Sequence, residues 1–138
     1  MALPIVLPLA LGALVLVGCA KVASDVRKVR PLTSLVGSEW GPAETTALDQ
    51  FVAFKSDGEI IGHGGCNQFF GQYTQSEQSL VIGALASTKK YCADRMKPET
   101  EFMQRLQDTR RFEATHITLR LYDMNETLLM QLRRRDWD

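Results

Sequence analysis

Two histidines and three cysteines carry most of the reactive chemistry open to this chain of 138 residues. His63 stands three positions before Cys66, and a thiol beside an imidazole is the arrangement of a cysteine nucleophile, in which the ring takes the thiol proton. That chemistry needs an orienting third group and a reducing compartment. His63, Cys66, Cys92 and His116 also offer nitrogen and sulfur donors to a metal, although zinc sites place their ligands in tighter pairs than these four positions do. No Gly-x-Ser-x-Gly, His-Glu-x-x-His or phosphate-binding glycine loop occurs. These residues therefore yield no catalytic set, no metal set and no cofactor site, and the expectation is a protein without enzymatic activity.

Composition narrows the class further. The length is that of one ordinary domain, and 45% apolar residues are enough for a packed core. Sixteen Lys and Arg balance sixteen Asp and Glu, so no net field draws the chain to nucleic acid. Plentiful Leu, Val, Ile and Phe at zero net charge argue against disorder.

The N-terminus has a different character from the rest. No charged side chain occurs from Met1 to Ala20, and Lys21 is the first. A short apolar run that ends in small residues and passes at once into polar chain reads as a secretory leader. It closes in Leu16-Val17-Gly18-Cys19, which resembles the lipobox of bacterial lipoproteins. That resemblance implies a leader over residues 1–18, a diacylglycerol on the Cys19 thiol and an acylated new amine. Two or more acyl chains anchor stably, at about 0.8 kcal/mol per buried methylene. The competing reading is a membrane span with Cys19 as an ordinary apolar residue. Such a run is marginal for spanning about 30 Å, and Pro4 and Pro8 weaken a helix there. Ala20-Lys21 follows the cysteine with no Asp beside it, which is similar to lipoproteins sorted to the outer membrane and facing the periplasm. Residues 19–34 then read as an acylated N-terminus and irregular tether, and residues 35–138 as the domain.

With Cys19 lipidated, Cys66 and Cys92 remain. In an oxidising compartment an even remainder is expected to pair. Closing a loop of 26 positions is worth about 3 kcal/mol on the chain-entropy account. A metal site, a catalytic thiol and two free thiols stay open as alternatives.

The elements that must position these residues are mostly strands. Phe51–Lys55 and Glu59–Gly62 flank Ser56-Asp57-Gly58, and Asp-Gly between apolar runs is a strong hairpin signal. Three glycines in the four positions from Gly62 point to positive φ, a bulge or close backbone approach. Phe69–Tyr73 and Ser79–Ile82 resume as strands. Ile117, Leu119 and Leu121 alternate with Thr118, Arg120 and Tyr122, and Leu128, Met130 and Leu132 alternate with Leu129, Gln131 and Arg133, which predicts two period-two strands joined around Asp123–Glu126. One stretch has helical spacing: Pro98 at its start, then Glu99, Phe102, Met103 and Leu106 on one face, with Glu99 and Glu101 near the positive end of the dipole and Arg105 near the other. The expected fold is α+β and mainly β, a compact antiparallel, partly closed barrel-like sheet with one packed helix.

Several of these segments together resemble the META domain family, also called HslJ-like. The likeness runs from about Leu35 to Leu132, opening with Leu35-Val36-Gly37-Ser38-Glu39-Trp40. It is sharpest at Gly62–Tyr73, where Gly64-Gly65-Cys66-Asn67 is similar to the family's glycine-rich GCN motif, and it continues in Leu85–Cys92 and in Glu101-Phe102 with Leu106. Ser76–Ser79 and Asn125-Glu126 stand where the family commonly has Asp-Gly turns. The resemblance implies an envelope location and an association with stress or drug tolerance, and it supplies no catalytic residues.

Three functional readings follow, the third a purely structural role as a stress-induced component that stabilises envelope assemblies. In the first, a membrane-tethered, non-enzymatic module binds an envelope protein or a small hydrophobic ligand, with His63, Asn67, Phe69, Phe70 and Tyr73 as the candidate surface on a rigidly held loop. The bland counterpart is that the glycines satisfy turn geometry and Asn67 caps backbone groups. In the second, Gly62–Gly71 serves a thiol-dependent or hydrolytic envelope enzyme. Its partners, in every case, would include the lipid membrane through Cys19.

Overall fold

Side chains that alternate inward and outward along a strand can bury one face only if the sheet meets another apolar surface or closes on itself. Here it closes. A computed structural model describes Pro4 and residues 31–44 and 48–136. Cys19, the leader apart from Pro4, and the tether up to Arg30 lie outside the described residues.

Among the described residues, nine strands and one helix follow in chain order: β1 Ser38–Pro42, β2 Phe51–Phe54, β3 Glu59–His63, β4 Gln68–Ser76, β5 Ser79–Ile82, β6 Ala86–Ser87, α1 Met96–Asp108, β7 Arg111–Ala114, β8 Thr118–Tyr122 and β9 Leu128–Arg134. All pairings are antiparallel. The order β3-β2-β1-β9-β8-β7-β5-β4 returns on itself through β3–β4. Eight strands thus form a closed ring and β6 lies outside it on β4. The long strand β4 makes this possible: one edge runs along β3, while the other is shared between β6 at Phe69 and Phe70 and β5 from Tyr73 to Ser76.

Val52, Phe54, Ile60, Phe69, Phe112, Leu119, Leu121 and Leu132 point into the barrel and are buried. Helix α1 lays Phe102 and Leu106 against them, with the Phe102 ring 6.2 Å from that of Phe69. The helix begins two residues before Pro98, at Met96; proline is tolerated there because the first four N–H groups of a helix have no partner within it.

The ring is thinnest between β5 and β7, where Ser79 and Arg111 form the single ladder pair, extended by Leu80 N–H to Arg110 O at 3.0 Å and Phe112 N–H to Gln78 O at 2.9 Å. Residues 31–35 reinforce that side. Leu32 N–H donates to Ala114 O at 2.7 Å, Gln75 Nε2 donates to Thr33 O at 2.7 Å and Leu35 N–H to Gln75 Oε1 at 3.0 Å. Leu35 itself is fully buried.

Three features depart from the sequence reading. Arg111–Ala114 and Ala86–Ser87 are strands that the patterning did not single out. Leu121 pairs with Met130 but Tyr122 pairs with Leu128, so Leu129 is an extra residue in β9; the bulge turns Leu128 out of the series of Met130 and Leu132, leaving it 49% exposed. The two turns that lack Asp-Gly place Glu77 and Glu126 at positive φ, 53° and 62°.

Replacing Phe112 by Ala is expected to lower stability by about 3–5 kcal/mol through the cavity left in the barrel. Ile117→Ala, at an exposed turn position, is expected to stay within about 0.5 kcal/mol of the parent. Urea unfolding midpoints of the two variants check the contrast.

Candidate functional site

The glycine-rich segment that follows β3 wraps the start of α1. Glu99, in the first turn of the helix, is only 5% exposed. Its Oε2 accepts the backbone N–H of Cys66 at 2.8 Å and that of Asn67 at 2.6 Å, and its Oε1 accepts the Asn67 side-chain amide at 2.8 Å. A carboxylate has no donor of its own, so it suits a place where donors converge.

Asn67 carries the network outward. Its Nδ2 also donates to Lys90 O at 3.0 Å, and its Oδ1 accepts from Thr88 Oγ1 at 2.8 Å and from Lys90 N–H at 2.7 Å. An amide side chain has two donors and two acceptor sites, and all four are used. The disulfide between Cys66 and Cys92, with Cα atoms 5.8 Å apart, ties down the far end of the same segment. Arg95 donates to Gly65 O at 3.1 Å, and Gln50 Nε2 donates to Gly64 O at 2.8 Å and to Pro98 O at 3.2 Å. Among the described residues, no buried side-chain nitrogen or oxygen is left without a partner.

This packing explains two of the glycines. A Cβ on Gly64 would meet the Glu99 side chain at 2.5 Å, and Gly65 has φ +121°, which L side chains rarely adopt. Both glycines are needed for the loop to pass this close to the helix.

The candidate residues named from sequence are distributed as follows. Asn67 is buried in the network, Phe69 and Tyr73 face the core, and Phe70 is 54% exposed on the outer face of β4. The three aromatic rings therefore do not form one exposed patch. Tyr73 donates its hydroxyl to Lys55 O at 2.7 Å and stacks edge-on against Phe54 at 5.0 Å; burial, with Asp57 nearby, pushes its pKa upward. His63 is half-buried at the end of β3, and its Nδ1 accepts the Gly65 N–H at 3.2 Å. Cys66 has its sulfur in the disulfide. Among the described residues, no three His, Cys, Asp or Glu side chains come together as a metal site. The basic run at the C-terminal end is engaged as well: Arg134 pairs with Asp136 at 2.7 Å and lies over Trp40, while Arg135 pairs with Glu39 at 3.5 Å and lies over Phe51.

Glu99 is the member that sequence reading placed differently, as a dipole partner alongside Glu101. The available signal was its position on the same helical face as Phe102 and Leu106, where a solvated acid is out of place.

Burial acts to raise the Glu99 pKa, but the hydrogen bonds from the Asn67 side chain and from the backbone of Asn67 and Cys66, with His63 nearby, outweigh it and hold the carboxyl below its ordinary value. A carboxyl whose folded pKa lies below its unfolded value of about 4.3 adds stability that is complete above that pH and is lost as pH falls through the folded pKa.

A closed antiparallel barrel with one helix locked to a glycine-rich loop defines the class of domain. The chain belongs to the META domain family, whose model matches residues 33–136. Among solved structures it is similar to a protein from Burkholderia xenovorans determined by NMR, with TM-score 0.61 and 18% identity over 74% of this chain and 84% of that one. It is also similar to a DUF4847-family protein from Bacteroides vulgatus, with TM-score 0.54 and 17% identity over 66% of this chain and 62% of that one. At such identities the likeness is one of fold. No curated protein matches the chain significantly.

Glu99→Gln sets an amide NH2 against donors and is expected to lower stability by about 3 kcal/mol at neutral pH. Chemical unfolding between about pH 6 and pH 3 should show the parent losing its advantage over the variant as pH drops below the carboxylate range. Cys92→Ala is expected to lower stability by about 3 kcal/mol relative to the oxidised parent and to differ much less from the parent in reductant. An equal loss in both conditions would assign the effect to packing.

Proposed function

We propose that this chain is a membrane-tethered, non-enzymatic envelope lipoprotein whose META domain serves a binding or structural role in stress or drug tolerance. One observation carries the non-enzymatic part: the groups of the motif that could do chemistry are already engaged within the fold. The Cys66 sulfur is bonded to Cys92, the Glu99 carboxylate accepts three hydrogen bonds and the Asn67 amide uses all four of its sites, and the Tyr73 hydroxyl is donated to Lys55 O. A nucleophile or general base needs a free lone pair aimed at a substrate, and here the Cys66 sulfur, the Asn67 amide and the His63 Nδ1 are committed to partners within the motif.

The tether rests on Leu16-Val17-Gly18-Cys19 and on the uncharged run before it. A disulfide that closes a long loop supports an oxidising compartment, and Ala20-Lys21 after the cysteine favours the periplasmic face of the outer membrane. The lipid bilayer is then the first partner, through acylated Cys19, and an envelope protein or small hydrophobic ligand the second. Among the described residues no helix is long and apolar enough to cross a membrane.

Cys19→Ser is expected to move the protein from the detergent-extracted membrane fraction to the soluble fraction, and intact mass should lose the added acyl groups. Unchanged fractionation of the variant would refute anchoring at this residue.

A further inference from the structure

Among the described residues, strand β6 is the one strand outside the closed ring, and one of its edges has no described strand beside it. Which backbone groups face that edge follows from the pairing. Thr88 N–H donates to Gln68 O at 3.1 Å, and Phe70 pairs with Ala86; alternation in an antiparallel ladder then turns the N–H and C=O groups of Ser87 and Lys89 away from β4. Lys90 is held inward by Asn67 through both its N–H and its C=O, which extends the alternation and turns Tyr91 outward. Ser87, Lys89 and Tyr91 thus present successive backbone groups at the spacing of a strand edge, and none has a hydrogen-bond partner on that side among the described residues.

That edge is stiff, because Asn67 grips Lys90 and the Cys66–Cys92 disulfide fixes the segment immediately after Tyr91. It borders a groove of about 490 Å³ whose opposite wall is α1, with Met96 and Met103 half-buried in it. A volume of this size lies within the roughly 300–1,000 Å³ of ligand-holding clefts, and methionine walls adapt to varied side chains. Lys89 and Lys90 are exposed on the near wall and, among the described residues, have no ion pair. The one acidic residue lining the groove is Glu99, whose oxygens are taken by Cys66 and Asn67. Two lysines outnumber that one carboxylate, so the net charge of the groove lining is positive. Tyr91, 83% exposed, adds an apolar ring at the mouth.

We propose that the edge formed by Ser87, Lys89 and Tyr91, with the groove beside it, binds an extended acidic peptide by strand addition. The peptide backbone pairs with the outward N–H and C=O groups, its acidic side chains meet Lys89 and Lys90, and its alternate apolar side chains rest on Met96 and Met103. This deepens the binding reading proposed above and rests on it.

The test is an NMR titration of the full chain in detergent micelles with an eight-residue peptide alternating glutamate and valine. A peptide with lysine for glutamate and an N-methylated glutamate peptide serve as comparisons. The expected result is shifts at the Ser87, Lys89 and Tyr91 amides, affinity at least about tenfold weaker for the lysine peptide at low salt, and no binding by the N-methylated one. Lys89→Glu with Lys90→Glu, both at exposed positions, should reverse the preference between the two charged peptides while the remaining amide signals stay in place. Shifts confined to other surfaces, equal affinity for both charges, or undiminished binding of the N-methylated peptide would overturn the proposal. So would a response at these amides to phosphatidylglycerol vesicles and none to the peptide. Fractionation of Cys19→Ser is read independently, so loss of the peptide site and loss of the tether are distinguishable.

Discussion

The carboxylate of Glu99, taken out of water in the first turn of the helix, meets two backbone N–H groups and a side-chain amide within 2.8 Å. Burial alone would drive such a group toward its neutral form, and only converging donors keep it charged. The rest of the motif follows from this constraint. Cys66 and Asn67 must present their N–H groups to one point, so the chain before them must turn tightly at Gly64 and Gly65. Asn67 must then satisfy its own carbonyl oxygen elsewhere, and it does so on Thr88 and Lys90. One buried charge thereby fixes the positions of three segments far apart in the chain: the loop after β3, the stretch after β6 and the start of α1.

The barrel has a matching problem of its own. The segment holding α1 leaves the sheet after β6 and rejoins it at β7, and the wall is thinnest where β5 and β7 meet. The helix fills the barrel interior with Phe102 and Leu106, and residues 31–35 bind across the same side. Locking the N-terminal end of α1 through Glu99 keeps its apolar face aimed inward, so the polar network and the hydrophobic core support each other. Closure also leaves β6 as the one strand outside the ring, beside a groove whose walls belong to the segments that Glu99 and Asn67 organise.

A motif whose polar groups largely bond one another shifts attention from its own side chains to the surfaces it holds in place. The glycines, the asparagine and the disulfide act as a clamp. What the clamp presents is the stretch 87–91, with Lys89 and Lys90 exposed on it. A sheet edge normally invites pairing, and folds blunt it with charge or cover it; here lysines border it, and no described residue pairs with its outward backbone groups.

Much of this architecture was legible in the residues themselves. β-Rich runs about Asp57-Gly58 and after the glycines located β2, β3 and β4; alternation located β5, β8 and β9; the spacing of Phe102, Met103 and Leu106 marked the helix; and an even remainder of cysteines pointed to Cys66–Cys92. These are local or counting signals, and short-range geometry decides them. Closure of the sheet into a ring, the bulge that turns Leu128 outward, the strand character of Arg111–Ala114 and the conversion of Glu99 from a helix-end charge to a buried acceptor were decided by the tertiary structure. Each depends on groups that meet only when distant segments pack: an acid on an apolar helical face becomes stable only where Cys66 and Asn67 supply donors, and those lie more than thirty positions away.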